Sequence, residues 1–153
     1  MPVRKLGHYS IRTGRLEETK KFYVDVLGLR VGFRPPLPFP GVWLYQRDDD
    51  EDYGIVHLLG TGGDGEGLAA YLGDKALRQG TGAIDHLAFL ADDIEEFRER
   101  LQASSVPYRE REVPGLGLRQ MFFEDPAGVT IEMNFPANES TEPEGSTACP
   151  TAA

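Results

Sequence analysis

The chain reads as an α+β protein made of two βαβββ modules, and three observations predict this. Apolar residues fall first at strand spacing, then at helical spacing, then in three short strands, and that order runs twice. Shifting the first half by 78 residues lays His8 on His86, Leu16 on Ile94, Glu17 and Glu18 on Glu95 and Glu96, and Tyr23 on Leu101, while a shift of 75 lays His57 on Glu132. All three histidines, with the carboxylate Glu132, fall in short strand-like segments, His8 to His57 spanning 49 residues and His86 to Glu132 spanning 46. Two copies of one unit would place such residues symmetrically.

Module one covers residues 5–60. Residues 6–11 read as a strand, and Leu16, Phe22, Tyr23, Val26 and Leu27 form the apolar stripe of a helix over 15–27, stopped by Gly28. Residues 29–33, 42–46 and 53–59 follow as strands. The acidic run 48–52 joins the last two and is a solvated hairpin tip, since it lacks the glycine and terminal glutamate spacing of a calcium loop. Residues 61–82 are a glycine-rich connector with a helical turn or two within 68–77.

Module two covers residues 83–135. A strand at 84–90 precedes a helix capped by Asp92 or Asp93, whose Ile94, Phe97 and Leu101 form the buried stripe. Strands at 106–111, 118–124 and 129–135 complete it, the last two joined by the turn Asp125-Pro126-Ala127-Gly128. Together 1–135 form a single domain. Residues 136–153 combine Pro, Ser, Thr, Glu and small residues without periodicity, the composition of a disordered acidic tail.

Of the net charge of −9, the tail carries −3 through Glu139, Glu142 and Glu144. An acidic chain argues against nucleic acid and anionic membrane as partners, because both require clustered Lys and Arg. No run approaches the ~20 apolar residues of a spanning helix, and the first residues lack the apolar core of a secretory signal. The only cysteine, Cys149, lies in the tail, so no internal disulfide forms, which fits a reducing compartment and a cytoplasmic location.

Strand alternation decides the company each candidate keeps. In the last strand Val129, Ile131, Met133 and Phe135 share one face, and Thr130, Glu132 and Asn134 the other. Likewise Tyr9 and Ile11 oppose His8, Val56 and Leu58 oppose His57, and Leu87 and Phe89 oppose His86. A single strand histidine is more often a hydrogen-bonded structural residue than a ligand. A carboxylate amid Val, Ile, Met and Phe, however, costs free energy unless paired; Asn134 or Arg119 could pair it without a metal. Three histidines and a carboxylate at matching points of two half-repeats together point to a metal site.

Four segments carry a resemblance to a known family: Gly7-His8-Tyr9; Lys21-Phe22-Tyr23-Val24-Asp25-Val26-Leu27-Gly28-Leu29; Asp85-His86-Leu87-Ala88-Phe89; and Glu124-Asp125-Pro126-Ala127-Gly128-Val129-Thr130-Ile131-Glu132. Over residues 5–135 the chain resembles the vicinal oxygen chelate superfamily, which includes glyoxalase I, extradiol dioxygenases, methylmalonyl-CoA epimerase, and fosfomycin and bleomycin resistance proteins. The resemblance implies a glyoxalase-like fold, in which mixed sheets of paired modules curl round a cavity with a divalent metal. It places the ligands at His8, His86 and Glu132, with His57 as a fourth ligand or a catalytic proton-transfer group. It also implies a homodimer, since some members build each site from modules of different subunits.

The family's shared step is bidentate binding of neighbouring substrate oxygens to the metal, a Lewis acid for a developing oxyanion. Two histidines and one carboxylate match non-haem Fe(II) oxygenases, so an Fe(II) dioxygenase acting on a small oxygen-rich substrate is the leading expectation. Extradiol enzymes carry a tyrosine where this chain has Phe122, a departure that weakens the catechol version. The alternative is a Zn(II)- or Ni(II)-dependent glyoxalase-like lyase or isomerase, with Mn(II) also compatible; there a carboxylate usually stands where this chain has His57. A fosfomycin transferase would need cations for phosphonate, and Arg47, Arg119 and the pair Arg109 and Arg111 are the candidates. A ligand-binding resistance protein of the bleomycin type generally lacks the metal ligands. Trp43, Tyr45, Arg47, Gln120 and Phe122 fall at positions that face the substrate or fill the barrel, and 114–117 reads as a lid or a surface turn.

Overall fold

The computed structural model describes residues 6–46, 54–62, 66–74, 76–113 and 117–137. Along them run β1 (Tyr9–Thr13), α1 (Leu16–Asp25), β2 (Arg30–Val31), β3 (Gly41–Tyr45), β4 (Val56–Gly60), α2 (Glu66–Leu72), β5 (Leu87–Leu90), α3 (Ile94–Ala103), β6 (Tyr108–Val113), β7 (Leu118–Glu124) and β8 (Thr130–Pro136). Two separate four-stranded sheets result, in the orders β1-β4-β3-β2 and β5-β8-β7-β6. In each, the module's first and last strands pair in parallel and the remaining pairs are antiparallel. The expected order of elements is present. The turns at 48–52 and 114–116 and the tail from 138 lie outside the described residues.

The internal repeat extends to strand register. In module one His57 stands opposite Ser10 on β1 and Trp43 on β3. In module two Glu132 stands opposite Ala88 on β5 and Phe122 on β7. His8 and His86 each lie two residues before those partners, just ahead of β1 and β5 rather than inside them. This corrects the expectation that every histidine sits within a strand, because pairing with the neighbouring strand begins one residue after His8 and His86.

Both modules bury one common core. Phe22 and Tyr23 of α1, Val26 just after it, and Ile94, Phe97 and Leu101 of α3 pack with Ile11, Leu44, Val56, Leu58, Met121, Phe123, Ile131, Met133 and Phe135. Gly28, at φ 72°, ends α1 by letting the Leu29 N–H reach back to the Tyr23 carbonyl. Asp93 caps α3, its Oδ1 accepting the Glu96 N–H at 3.0 Å.

Across the seam Tyr9 and Phe89 lie 6.1 Å apart, as do Phe22 and Phe123. The Tyr9 hydroxyl lies 3.4 Å from that of Tyr23, which donates to Asp125 Oδ2 at 2.9 Å. Asp125 Oδ1 accepts the N–H groups of Ala127 and Val129, holding the turn before β8. Burial pushes both tyrosine hydroxyls above their ordinary range, and it raises Asp125 despite the hydrogen bonds that partly oppose it.

The second layer differs between modules. In module one Phe39, Leu59 and Leu68 form a small separate cluster, so α2 and the 32–40 loop cover the Leu59 end of the face that carries His57. The approach is close: a Cβ on Gly67 would meet the Pro38 carbonyl at 1.7 Å, so only glycine fits there.

Candidate metal centre

The four candidate ligands form two pairs within the chain. On module one the His8 ring stacks on His57 at 3.9 Å and 18°, and His57 stacks on Trp43 at 4.0 Å and 3°. His57 is buried, 6% exposed, while His8 is exposed. On module two His86 Nε2 lies 3.1 Å from Glu132 Oε2. Among the described residues no three His, Cys, Asp or Glu side chains stand grouped to hold an ion. Pairs converge; the quartet does not.

Module two's pair is held in orientation by a polar network. Glu132, 7% exposed, would be costly in that strand without partners. Its Oε1 accepts from Gln120 Nε2 at 2.9 Å and from Asn134 Nδ2 at 2.7 Å. Gln120 Nε2 also donates to Asn134 Oδ1 at 2.8 Å, and its own Oε1 accepts from Arg111 Nε at 2.6 Å. Oε2 is thereby left turned to His86. On the other side of that ring, Nδ1 lies 2.7 Å from Asp85 Oδ1, and a proton held there leaves the Nε2 lone pair facing Glu132.

A divalent cation fits this arrangement. Two lone pairs facing each other repel unless a proton or a cation lies between them. Ligands each ~2.1 Å from a metal and at right angles are themselves separated by about 3 Å, close to the His86–Glu132 separation. Carboxylate support of a ligating imidazole, here from Asp85, is the usual second contact of such a histidine. His86 and Glu132 could thus supply two adjacent ligands, and His8, exposed beside His57, a third from another surface.

The remaining sequence candidates distribute by strand face. Trp43 stacks on His57, and Gln120 anchors Glu132. Phe122 stands opposite Glu132 in register, with its ring edge-on to His86 at 6.1 Å. Tyr45 is buried, its hydroxyl donating to the Phe33 carbonyl at 2.7 Å and its ring packed under Gly32, so it serves the strand packing rather than an open wall. Arg47 lies outside the described residues. Arg119 points to the face opposite Gln120 and Phe122, whereas Arg109 and Arg111 reach over Phe122, at 4.2 and 5.3 Å from its ring centre. The sequence reading did not single out Asp85; its position next to His86 was the available signal.

Comparison with known proteins agrees with the fold. The family model described as Glyoxalase/Bleomycin resistance protein/Dioxygenase superfamily matches residues 5–133. Among solved structures, the lactoylglutathione lyase of Agrobacterium tumefaciens is similar at 21% identity and a TM-score of 0.61, covering 92% of this chain and 100% of its own. The genomically encoded fosfomycin resistance protein FosX of Listeria monocytogenes is similar at 18% identity and a TM-score of 0.61, covering 90% and 97%. A mutant of that protein, complexed with Mn(II) and 1S,2S-dihydroxypropylphosphonic acid, gives 16% identity and a TM-score of 0.62, covering 90% and 95%. At such identities the likeness is one of fold. No curated protein matches. No helix among the described residues is long and apolar enough to cross a membrane.

Proposed function

Because the chain belongs to the glyoxalase/bleomycin resistance protein/dioxygenase superfamily, we propose that it is a divalent-metal enzyme acting on a small oxygen-rich substrate, with each site shared between two copies. The observation that supports this reading is the division of the ligands: His86 and Glu132 form an oriented pair on module two, while His8 and His57 form a pair on module one. Neither pair completes a site, and two copies related by a twofold axis would supply both halves twice. His8 of one copy with His86 and Glu132 of the other would then hold the cation, leaving positions for two neighbouring substrate oxygens. When bound, the cation supplies Lewis acidity where negative charge develops on substrate oxygen.

The protein's own residues have separable tasks. Asp85 orients the His86 ring from its Nδ1 side so that Nε2 faces Glu132, and Gln120 and Asn134 fix the carboxylate. His57, pressed between His8 and Trp43, fits a proton-transfer role beside the metal or a fourth ligand position. The two-histidine, one-carboxylate set favours Fe(II) and a dioxygenase reaction. A second reading, a Zn(II)-, Ni(II)- or Mn(II)-dependent lyase or isomerase, is favoured by Phe122, which puts no phenolic proton donor opposite Glu132.

Subunit mixing tests the shared site. His8→Ala and Glu132→Ala are each expected to bind less metal than wild type. Unfolding and refolding them together gives mixed dimers with one site intact in both halves, restoring about a quarter of the wild-type metal sites. Restoration absent from the mixture would place the site within one chain or sink the dimer. Metal identity by mass spectrometry, with oxygen uptake on catechols and related diols, separates the two chemistries.

A further inference from the structure

Strand β6 divides its charges by face. Glu110 points to the helix side, where both its oxygens meet Arg98 of α3 at 2.7 Å, and Glu112 stands opposite Arg119 on that same side. Arg109 and Arg111 alternate with them and so share the face of Gln120, Phe122 and Glu132. Both guanidinium groups lie over the Phe122 ring, and that ring meets His86 edge-on. Arg111 spends its Nε on Gln120. Among the described residues no carboxylate pairs with Arg109, in a chain with a surplus of nine negative charges.

Contact with the Phe122 ring holds each guanidinium in place and leaves the N–H groups of Arg109 and the terminal N–H groups of Arg111 to donate, the form in which arginine recognises planar or tetrahedral oxyanions. We propose that Arg109 and Arg111 are a specificity platform for an oxyanion, so that the substrate carries a carboxylate, phosphonate or phosphate group besides the oxygens that bind the cation. The inference rests on the metal-site reading only for what lies next to the platform. A neutral diol would leave Arg109 unpaired, whereas an anionic substrate would be drawn to the fixed positive charge of Arg109 and Arg111 beside the centre.

Inorganic phosphate is the probe, titrated calorimetrically into full-length protein with and without Mn(II). Wild type is expected to bind phosphate, and Arg109→Gln to weaken it by about tenfold or more, the worth of a hydrogen bond to a charged group. Mn(II) affinity should stay unchanged, because Arg109 makes no contact with the Glu132 network. Arg109→Lys should recover part of the loss, since charge returns without the planar fork. Phosphate binding that survives Arg109→Gln unchanged, or no phosphate binding by wild type, overturns the platform even if Mn(II) binds. Arginine-dependent phosphate binding without any Mn(II) binding would instead sink the metal-site reading and leave the platform standing.

Discussion

The two modules share one register and set their candidate ligands in different surroundings. His57 faces Trp43 as Glu132 faces Phe122, and Leu59, two residues beyond His57, corresponds to Asn134, two beyond Glu132. Around Leu59 the layer is apolar, closed by Phe39 and Leu68. Around Asn134 it is polar, closed by Gln120 and Arg111. The duplicated frame thus keeps the positions of the candidate ligands in matching register while its walls differ. Module one lines its imidazoles up in a stack of rings with Trp43, each contact of which is modest. Module two positions a carboxylate by directional hydrogen bonds, each of which penalises displacement when buried.

Removing the keystone of the polar side should give the larger effect. Gln120→Leu takes away a donor to Glu132 and the acceptor of Arg111 while keeping side-chain bulk. Metal affinity, measured by competition with a chelating dye, is expected to fall by about 10- to 100-fold, the range for groups that orient a ligand. Trp43→Leu is the matching change on the other side. It removes a stack worth ~0.5–1.5 kcal/mol, so the affinity should drop by about tenfold at most. A larger loss from Trp43→Leu than from Gln120→Leu would reverse the comparison and make the aromatic stack the organising element.

This asymmetry was only partly legible in the sequence. Hydrophobic alternation around His57 and Glu132 was enough to place both on faces opposite Val56, Leu58, Ile131 and Met133, because period-2 burial leaves a direct imprint on residue type. The duplicated order of elements was readable for the same reason. Whether the pairs converge was not readable, since residues 49 or 46 apart in sequence carry no information on which surface, or which copy, they meet. Arg109 and Arg111 were legible as a pair of candidate cations, but their seat was not: the strand span Tyr108–Val113 sets Arg109 opposite Phe122 and Arg111 opposite Gln120. Tyr45 shows the opposite error: strand parity put it beside Trp43, yet the return of the chain through Gly32 covers it.

The seam between the modules offers the finest test, because there a buried carboxylate has both kinds of environment at once. Asp125 accepts from Tyr23 of module one and from the Ala127 and Val129 amides of module two, yet burial dominates and raises its pKa above the ordinary 3.8. In the folded state it thus takes up a proton more readily than in the unfolded chain. Its contribution to stability is then complete below pH 3.8 and is lost as pH rises through the folded value. Asp125→Asn removes the titration while its side-chain oxygen can still accept both amides. The melting temperature of wild type relative to Asp125→Asn should accordingly be most favourable at the acid end, decline as pH rises through that value, and be flat beyond it. A difference that instead grows with pH would mean that hydrogen bonds from Tyr23 and the turn outweigh burial, and that the seam is held as the module-two face is, by directional bonds to a charged carboxylate.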